Sequence, residues 1–190
     1  MFDREALSLE GACLLRRPIG NDARGSFRKI VHGEAFADMG LACDFVEQYV
    51  STSAAGVLRG MHFQTPPHDH AKLVTVLSGR ILDVIVDLRP GPDYGRHAAV
   101  ELDGAEGVSL WLPSGIAHGF LALEPATVLY DVTSVHAPAN DAGIRFDTFG
   151  FVWPIAAPIL SDRDRALPPL SHFVTTFPPA AGRAAPEDRP

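Results

Sequence analysis

Residues 56–79, GVLRGMHFQTPPHDHAKLVTVLSG, hold three histidines within nine positions, flanked by Arg59 and Lys72. Imidazoles at this density serve one of two chemistries: they ligate a metal ion, or one of them moves a proton near neutral pH. Proton transfer at carbon needs a base and an acid on opposite sides of a carbon acidified by a neighbouring carbonyl. His62 can be the base. Tyr130, in TVLYDVTS, can be the acid, because a phenol keeps its proton at pH 7 and can give it to a strongly basic enolate. Lys72 can set a positive charge at the enolate oxygen. A carboxylate is needed to orient His62 and to stabilise its protonated form.

The metal reading rests on His68 and His70 in HDH and on His118 in PSGIAH, an order similar to the two motifs of metal-binding cupins. It would make the chain a metal-dependent oxygenase. Such sites also use a carboxylate from the first strand, and its place here falls on Val74 or Thr75. His68 and His70 follow Pro66 and Pro67 in a turn, where imidazoles usually face water. Three imidazoles alone can hold zinc, so this alternative stays open.

The elements that must position these residues are short. From Asp44 onward the apolar runs DFVEQYVSTS, GVLRGMHF, KLVTVLSG, RILDVIVDL, RHAAVEL, VSLWLPSG, AHGFLAL and TVLYDVTS recur between Pro, Gly, Asp and Asn clusters. That spacing predicts an all-β barrel or jelly roll. In RILDVIVDL a period of two puts Ile81, Asp83, Ile85 and Asp87 on one face and Leu82, Val84, Val86 and Leu88 on the other. Lys72 likewise shares its face with Val74 and Val76. Charge on an inward face is costly unless paired, so these residues, with His62, His118 and Tyr130, predict a polar pocket. The first forty residues are mixed, with a turn-like IGNDARGSF and a short helical candidate at GEAFADMG.

The chain of 190 residues suits one domain over 1–177, and PPAAGRAAPEDRP, 178–190, reads as a disordered tail. A net charge of −7 and the lack of a long apolar run argue against nucleic acid and membrane as partners. A few arginines in a cleft can still override that sign for an anionic small ligand. The opening MFDREALSLEG is acidic, unlike a secretory signal, and Cys13 and Cys43 are too few for a disulfide framework. Both features point to the cytoplasm, with two buried thiols.

Taken together and in order, DARGSF, the run from GVLRGMHF to RPGPDYG, LWLPSGIAHGFLAL, VLYDVTSVHAPANDAGIRFD and PILSDRDRALP resemble the dTDP-4-dehydrorhamnose 3,5-epimerase family, from Asp22 to Pro168. The resemblance implies a cupin-type jelly roll with short peripheral helices, a homodimer, and no cofactor or metal. It implies a nucleotide-diphosphate 4-keto-6-deoxy sugar as substrate, inverted at C3 and C5 through enolates. By motif position His62 is similar to the family's base, Tyr130 to its acid and Lys72 to its enolate-stabilising lysine. Asp164, with Asp162 as the alternative, falls where the family keeps the carboxylate paired with its histidine. Arg59 matches an arginine reaching the sugar and phosphates, and Asp83 and His118 match further pocket residues. Arg24 and Phe27 look like the diphosphate contact and base-stacking aromatic that a swapped N-terminal segment carries to the neighbouring subunit.

The sequence departs from the family pattern in three places. Arg28 and Lys29 stand where a glutamate helps read thymine, Glu47 replaces a glutamine, and His136 replaces a second tyrosine expected beside Tyr130 on the barrel rim. Lys29 and Glu47 either form a solvated salt bridge or rebuild the base pocket, with Glu47 accepting two hydrogen bonds from guanine. A catalytically idle nucleotide-sugar binding module is a further alternative, although it would not need an opposed acid and base. One geometric demand remains. In a regular strand Arg59 and His62 face opposite ways, and a bulge at Gly60 would bring them to one pocket.

Overall fold

Each of the eight apolar runs forms a strand in the computed structural model, which describes residues 2–180. In chain order the strands are β1 (Asp3–Ala6), β2 (Cys13–Arg16), β3 (Gly20–Asp22), β4 (Gly25–Phe27), β5 (Glu47–Ser53), β6 (Leu58–Gln64), β7 (Lys72–Ser78), β8 (Arg80–Asp87), β9 (His97–Asp103), β10 (Val108–Leu112), β11 (Ile116–Ala122), β12 (Ala126–Val132) and β13 (Asp141–Gly143). Two short α-helices, α1 (Gly33–Asp38) and α2 (Asp162–Ala166), flank them. One antiparallel sheet runs β1-β2-β10-β7-β12-β5, and the other runs β13-β6-β11-β8-β9. They face each other as a jelly-roll barrel. Of the segment assigned to a tail, residues 181–190 lie outside the described residues.

The alternation in RILDVIVD decides how β8 sits. Ile81 and Ile85 enter the barrel interior with Val74, Val76, Leu110, Phe120 and Val128. Val84, Val86 and Leu88 face outward, where Ile144, Phe149, Trp153 and Phe177 of the C-terminal segment cover them. Both faces are therefore buried, and the strand's two buried carboxylates, Asp83 and Asp87, alternate in phase with Ile81 and Ile85. A second outer cluster covers the six-stranded sheet. There Phe36 of α1 packs edge-on against Trp111 at 6.3 Å, beside Leu15 and Leu73. Burying such a side chain contributes about 1.5–3 kcal/mol, and Phe36 is the one buried residue of its helix.

The mixed first forty residues hold more structure than their pattern announces. β1 pairs with β2, β2 continues onto β10, and IGNDARGSF becomes the β3–β4 hairpin. β1 is exposed at all four positions, so no apolar alternation marks it; it forms because β2 offers a ladder. Cys13 is buried, whereas Cys43, expected to be buried too, is only half-buried beside the same outer cluster; both are free thiols.

Candidate active site

The bulge demanded by Arg59 and His62 is present. On β11, His118 pairs with His62 and Phe120 with Arg59, so two steps on β11 span three on β6. The extra residue puts Arg59 and His62 on the inward face, while Leu58, Met61 and Phe63 pack outside. Gly60 makes this possible. Its φ of +130° suits glycine, and a Cβ there would lie 2.5 Å from the Gly119 Cα.

His62 meets a carboxylate from far along the chain. Its Nε2 lies 2.6 Å from Asp164 Oδ1, on α2, whose N-cap Ser161 accepts a hydrogen bond from the Asp164 backbone N–H. Asp162, the alternative partner, is exposed. Burial raises the Asp164 carboxyl, but hydrogen bonds from His62, Ser161 and the Gly60 backbone outweigh it and hold the group below the usual range. An ionised Asp164 can only accept, so Nε2 carries the ring hydrogen and the Nδ1 lone pair is left to act as a base.

Behind His62 lies a second, buried set. His118 Nε2 is 2.7 Å from Asp83 Oδ2, and the other oxygen, Oδ1, has no hydrogen-bond partner among the described residues. Burial pushes His118 down and Asp83 up, each against the attraction of the other. Lys72 completes the cluster. Burial pushes its ammonium down to about 8, with Asp83 and Asp141 pulling the other way. Tyr130 faces this group from β12, its ring 6.1 Å from His118, and burial lifts its phenol above the ordinary range. His62 thus stands on one sheet, and Tyr130 and Lys72 stand on the other.

The inward row of β5 holds the remaining parts. Glu47 accepts from the His136 backbone N–H at 2.6 Å, Tyr49 stacks on Tyr130, Ser51 lies 3.3 Å from the Tyr130 hydroxyl, and Ser53 accepts from Arg59 Nε at 3.0 Å. A cleft of about 340 Å³ opens here, lined by His62, Lys72, Glu47, Tyr49, His136 and Asp141 among others. Sequence reasoning missed Tyr49, Ser51 and Ser53. Their signal was the period of two in EQYVSTS, which places them on the Glu47 face. The ring beside Tyr130 is accordingly Tyr49 and not His136, which the Glu47 contact holds at the exposed edge of the cleft.

Three predicted residues stay away from this cleft within the chain. Arg24 projects from the β3–β4 hairpin with a side chain 90% exposed and pairs with Asp22. Phe27 is 69% exposed, and it lines a separate cavity with Lys29 and Arg17. Lys29 and Glu47 therefore form no salt bridge with each other. The three histidines of the metal alternative do not converge. His68 is exposed in its turn, His70 hydrogen-bonds Gln64, and His118 is committed to Asp83. Among the described residues no group of three or more His, Cys, Asp or Glu is placed to hold a metal ion.

Comparison with known proteins gives this geometry a context. Residues 6–172 match the family model for dTDP-4-dehydrorhamnose 3,5-epimerase. The dTDP-4-dehydrorhamnose 3,5-epimerase of Sinorhizobium fredii is 36% identical over 183 residues, covering 91% of this chain and 92% of its own. That of Methanothermobacter thermautotrophicus is 38% identical over 170 residues, covering 86% and 91%. Among solved structures, the dTDP-6-deoxy-D-glucose-3,5-epimerase of Legionella pneumophila, in complex with dTDP-4-keto-L-rhamnose, aligns with a TM-score of 0.87 at 29% identity over 92% of this chain and 95% of its own. ChmJ, a 3'-monoepimerase from Streptomyces bikiniensis in complex with dTDP-quinovose, aligns with a TM-score of 0.83 at 34% identity over 88% and 87%.

Proposed function

The chain belongs to the dTDP-4-dehydrorhamnose 3,5-epimerase family, and on that premise we propose that it epimerises a dTDP-linked 4-keto-6-deoxy sugar beside the ketone. It is an isomerase on a cupin-type jelly roll. The observation that carries the chemistry is His62 on one sheet, paired with Asp164 of α2 and facing Lys72 and Tyr130 on the other sheet. His62 Nδ1 takes the proton from the carbon next to the ketone, and Asp164 stabilises the imidazolium. The carbon–hydrogen electron pair moves to the ketone oxygen, where the Lys72 ammonium meets the new charge. Tyr130 then returns a proton from the opposite face, which inverts the centre. A 3'-monoepimerase and 3,5-epimerases share this fold at similar identity, so the fold itself does not set the number of carbons inverted.

The direct test is to incubate the protein with dTDP-4-keto-6-deoxy-D-glucose in deuterated buffer and to follow the product by NMR. Deuterium at C3, C5 or both is expected. A substrate that is bound but never labelled would leave only the idle binding module.

The nucleotide end is proposed to lie between two copies. Phe27 and Arg24 are exposed on a hairpin that turns away from its own cleft, as residues serving a partner's site would be in a swapped homodimer. Mixing and refolding His62→Ala with Arg24→Ala chains tests this. Service in trans predicts recovery of about a quarter of wild-type activity, because half the dimers then hold one intact site. No recovery would place Arg24 in cis. No described helix is long and apolar enough to cross a membrane, and the free thiols support a cytoplasmic setting.

A further inference from the structure

Tyr49 and Tyr130 are register partners across β5 and β12, with ring centroids 4.7 Å apart and planes within 18°. β5 is the edge strand of its sheet, so Tyr49 closes the side of Tyr130 that would otherwise face the open edge. The exposures fit this arrangement: Tyr49 is 40% exposed and Tyr130 only 6%. Two residues further along β5, Ser51 reaches the Tyr130 hydroxyl at 3.3 Å. One strand therefore holds both the ring and the tip of the proposed acid. His118 touches the ring at 6.1 Å, edge to face.

We propose that Tyr49 is a positioning residue for Tyr130, its stacked ring fixing the phenol's direction and excluding water from the edge of the sheet. This rests on the reading of Tyr130 as the acid. The role has a physical need behind it. A phenol that must protonate one face of an enolate loses efficiency if it can rotate or exchange its proton with bulk water. The charged and titratable groups facing Tyr130 are Asp83 from β8, Arg59 from β6, His118 from β11 and Tyr49 itself, with Lys72 on neighbouring β7. The Tyr49 ring is the apolar member of that set. Burial also keeps its own hydroxyl protonated, pushed up to about 12.

The chain has three tyrosines, Tyr49, Tyr94 and Tyr130, so tyrosinate absorbance can be assigned by substitution. The probe substrate is dTDP-4-keto-6-deoxy-D-glucose. Tyr49→Ala should lower kcat at least about tenfold, with KM changed little and with the Tyr130 phenol ionising at lower pH than in Tyr49→Phe. Tyr49→Phe, which keeps the ring, should be at least about fivefold faster than Tyr49→Ala. Equal kcat and equal titration in the two variants would overturn the proposal. A Tyr49→Phe loss as deep as that of Tyr49→Ala would overturn it too, since the hydroxyl would then be the working part. If Tyr49→Ala fails to fold, Tyr49→Leu replaces it, with the same outcomes read. Tyr130→Phe separates the two ideas. Full activity in that variant would remove Tyr130 from the reaction, whereas a dead Tyr130→Phe beside an unaffected Tyr49→Ala would sink the positioning role alone.

Discussion

Two histidine–carboxylate pairs sit side by side here, and they behave differently. His62 and His118 are direct register partners across β6 and β11, and each meets a carboxylate oxygen, at 2.6 and 2.7 Å. The functional groups and distances are alike; the surroundings are not. The His62 side chain is 30% exposed, whereas His118 is 4% and Asp83 0% exposed. At the rim, hydrogen bonds outweigh burial and keep Asp164 ionised, so His62 presents a free lone pair to the cleft. In the interior burial wins, pushing the carboxyl up and the imidazole down. The exposure of the imidazole and the hydrogen bonds to the carboxylate thus separate the two pairs. In the proposed reaction the outer pair gains and loses a proton, while the inner pair stays fixed beside Lys72.

The largest expected effect breaks the outer pair. His62→Ala should slow deuterium exchange at the sugar by about 100- to 10,000-fold. dTDP should still raise the melting temperature of that variant as in wild type, because nucleotide contacts do not run through the imidazole. Undiminished exchange would remove His62 from the mechanism.

Breaking the inner pair should show first in stability. Asp83→Ala strands His118 and Lys72 in the interior without their carboxylate, at a cost of about 3–5 kcal/mol in urea unfolding. His62→Ala should cost distinctly less, because its ring is partly hydrated and the Asp164 it leaves keeps its hydrogen bonds with Ser161 and the Gly60 backbone. Equal losses would dissolve the distinction between working and structural pairs.

A smaller effect sharpens the field around Lys72. Its ammonium is pushed down to about 8, so the charge proposed to meet the enolate is present below that pH and lost above it. kcat/KM, which reports the free enzyme, should fall about tenfold per pH unit above about 8. Stability moves the other way through this group. A buried lysine costs least when neutral, so its contribution improves as pH rises from the folded value towards the ordinary one. Lys72→Arg, always charged, should be slower yet lack this alkaline limb. An unchanged limb in that variant would assign it to another group.

Much of this architecture was legible in the residues. Strand alternation and turn composition are local, and the eight strands formed where apolar runs lay between Pro, Gly and Asp clusters. Counting also raised the need for a bulge at Gly60 or an arginine reaching over the barrel rim, and the structure takes the bulge. β1 was not legible, because an exposed strand held only by its ladder carries no alternation.

What the sequence determined by itself was the inventory: an imidazole, a phenol, an ammonium and spare carboxylates on short strands that alternate inward and outward. Only the tertiary structure decided which of them meet. Asp164 rather than Asp162 reaches His62 because one side of a five-residue helix docks against a strand 102 residues earlier in the chain. Tyr49 rather than His136 lies beside Tyr130 because β5 and β12 pair in one register. Side-chain chemistry and strand period are properties of neighbours along the chain, whereas these choices depend on contacts that exist only once the two sheets have closed.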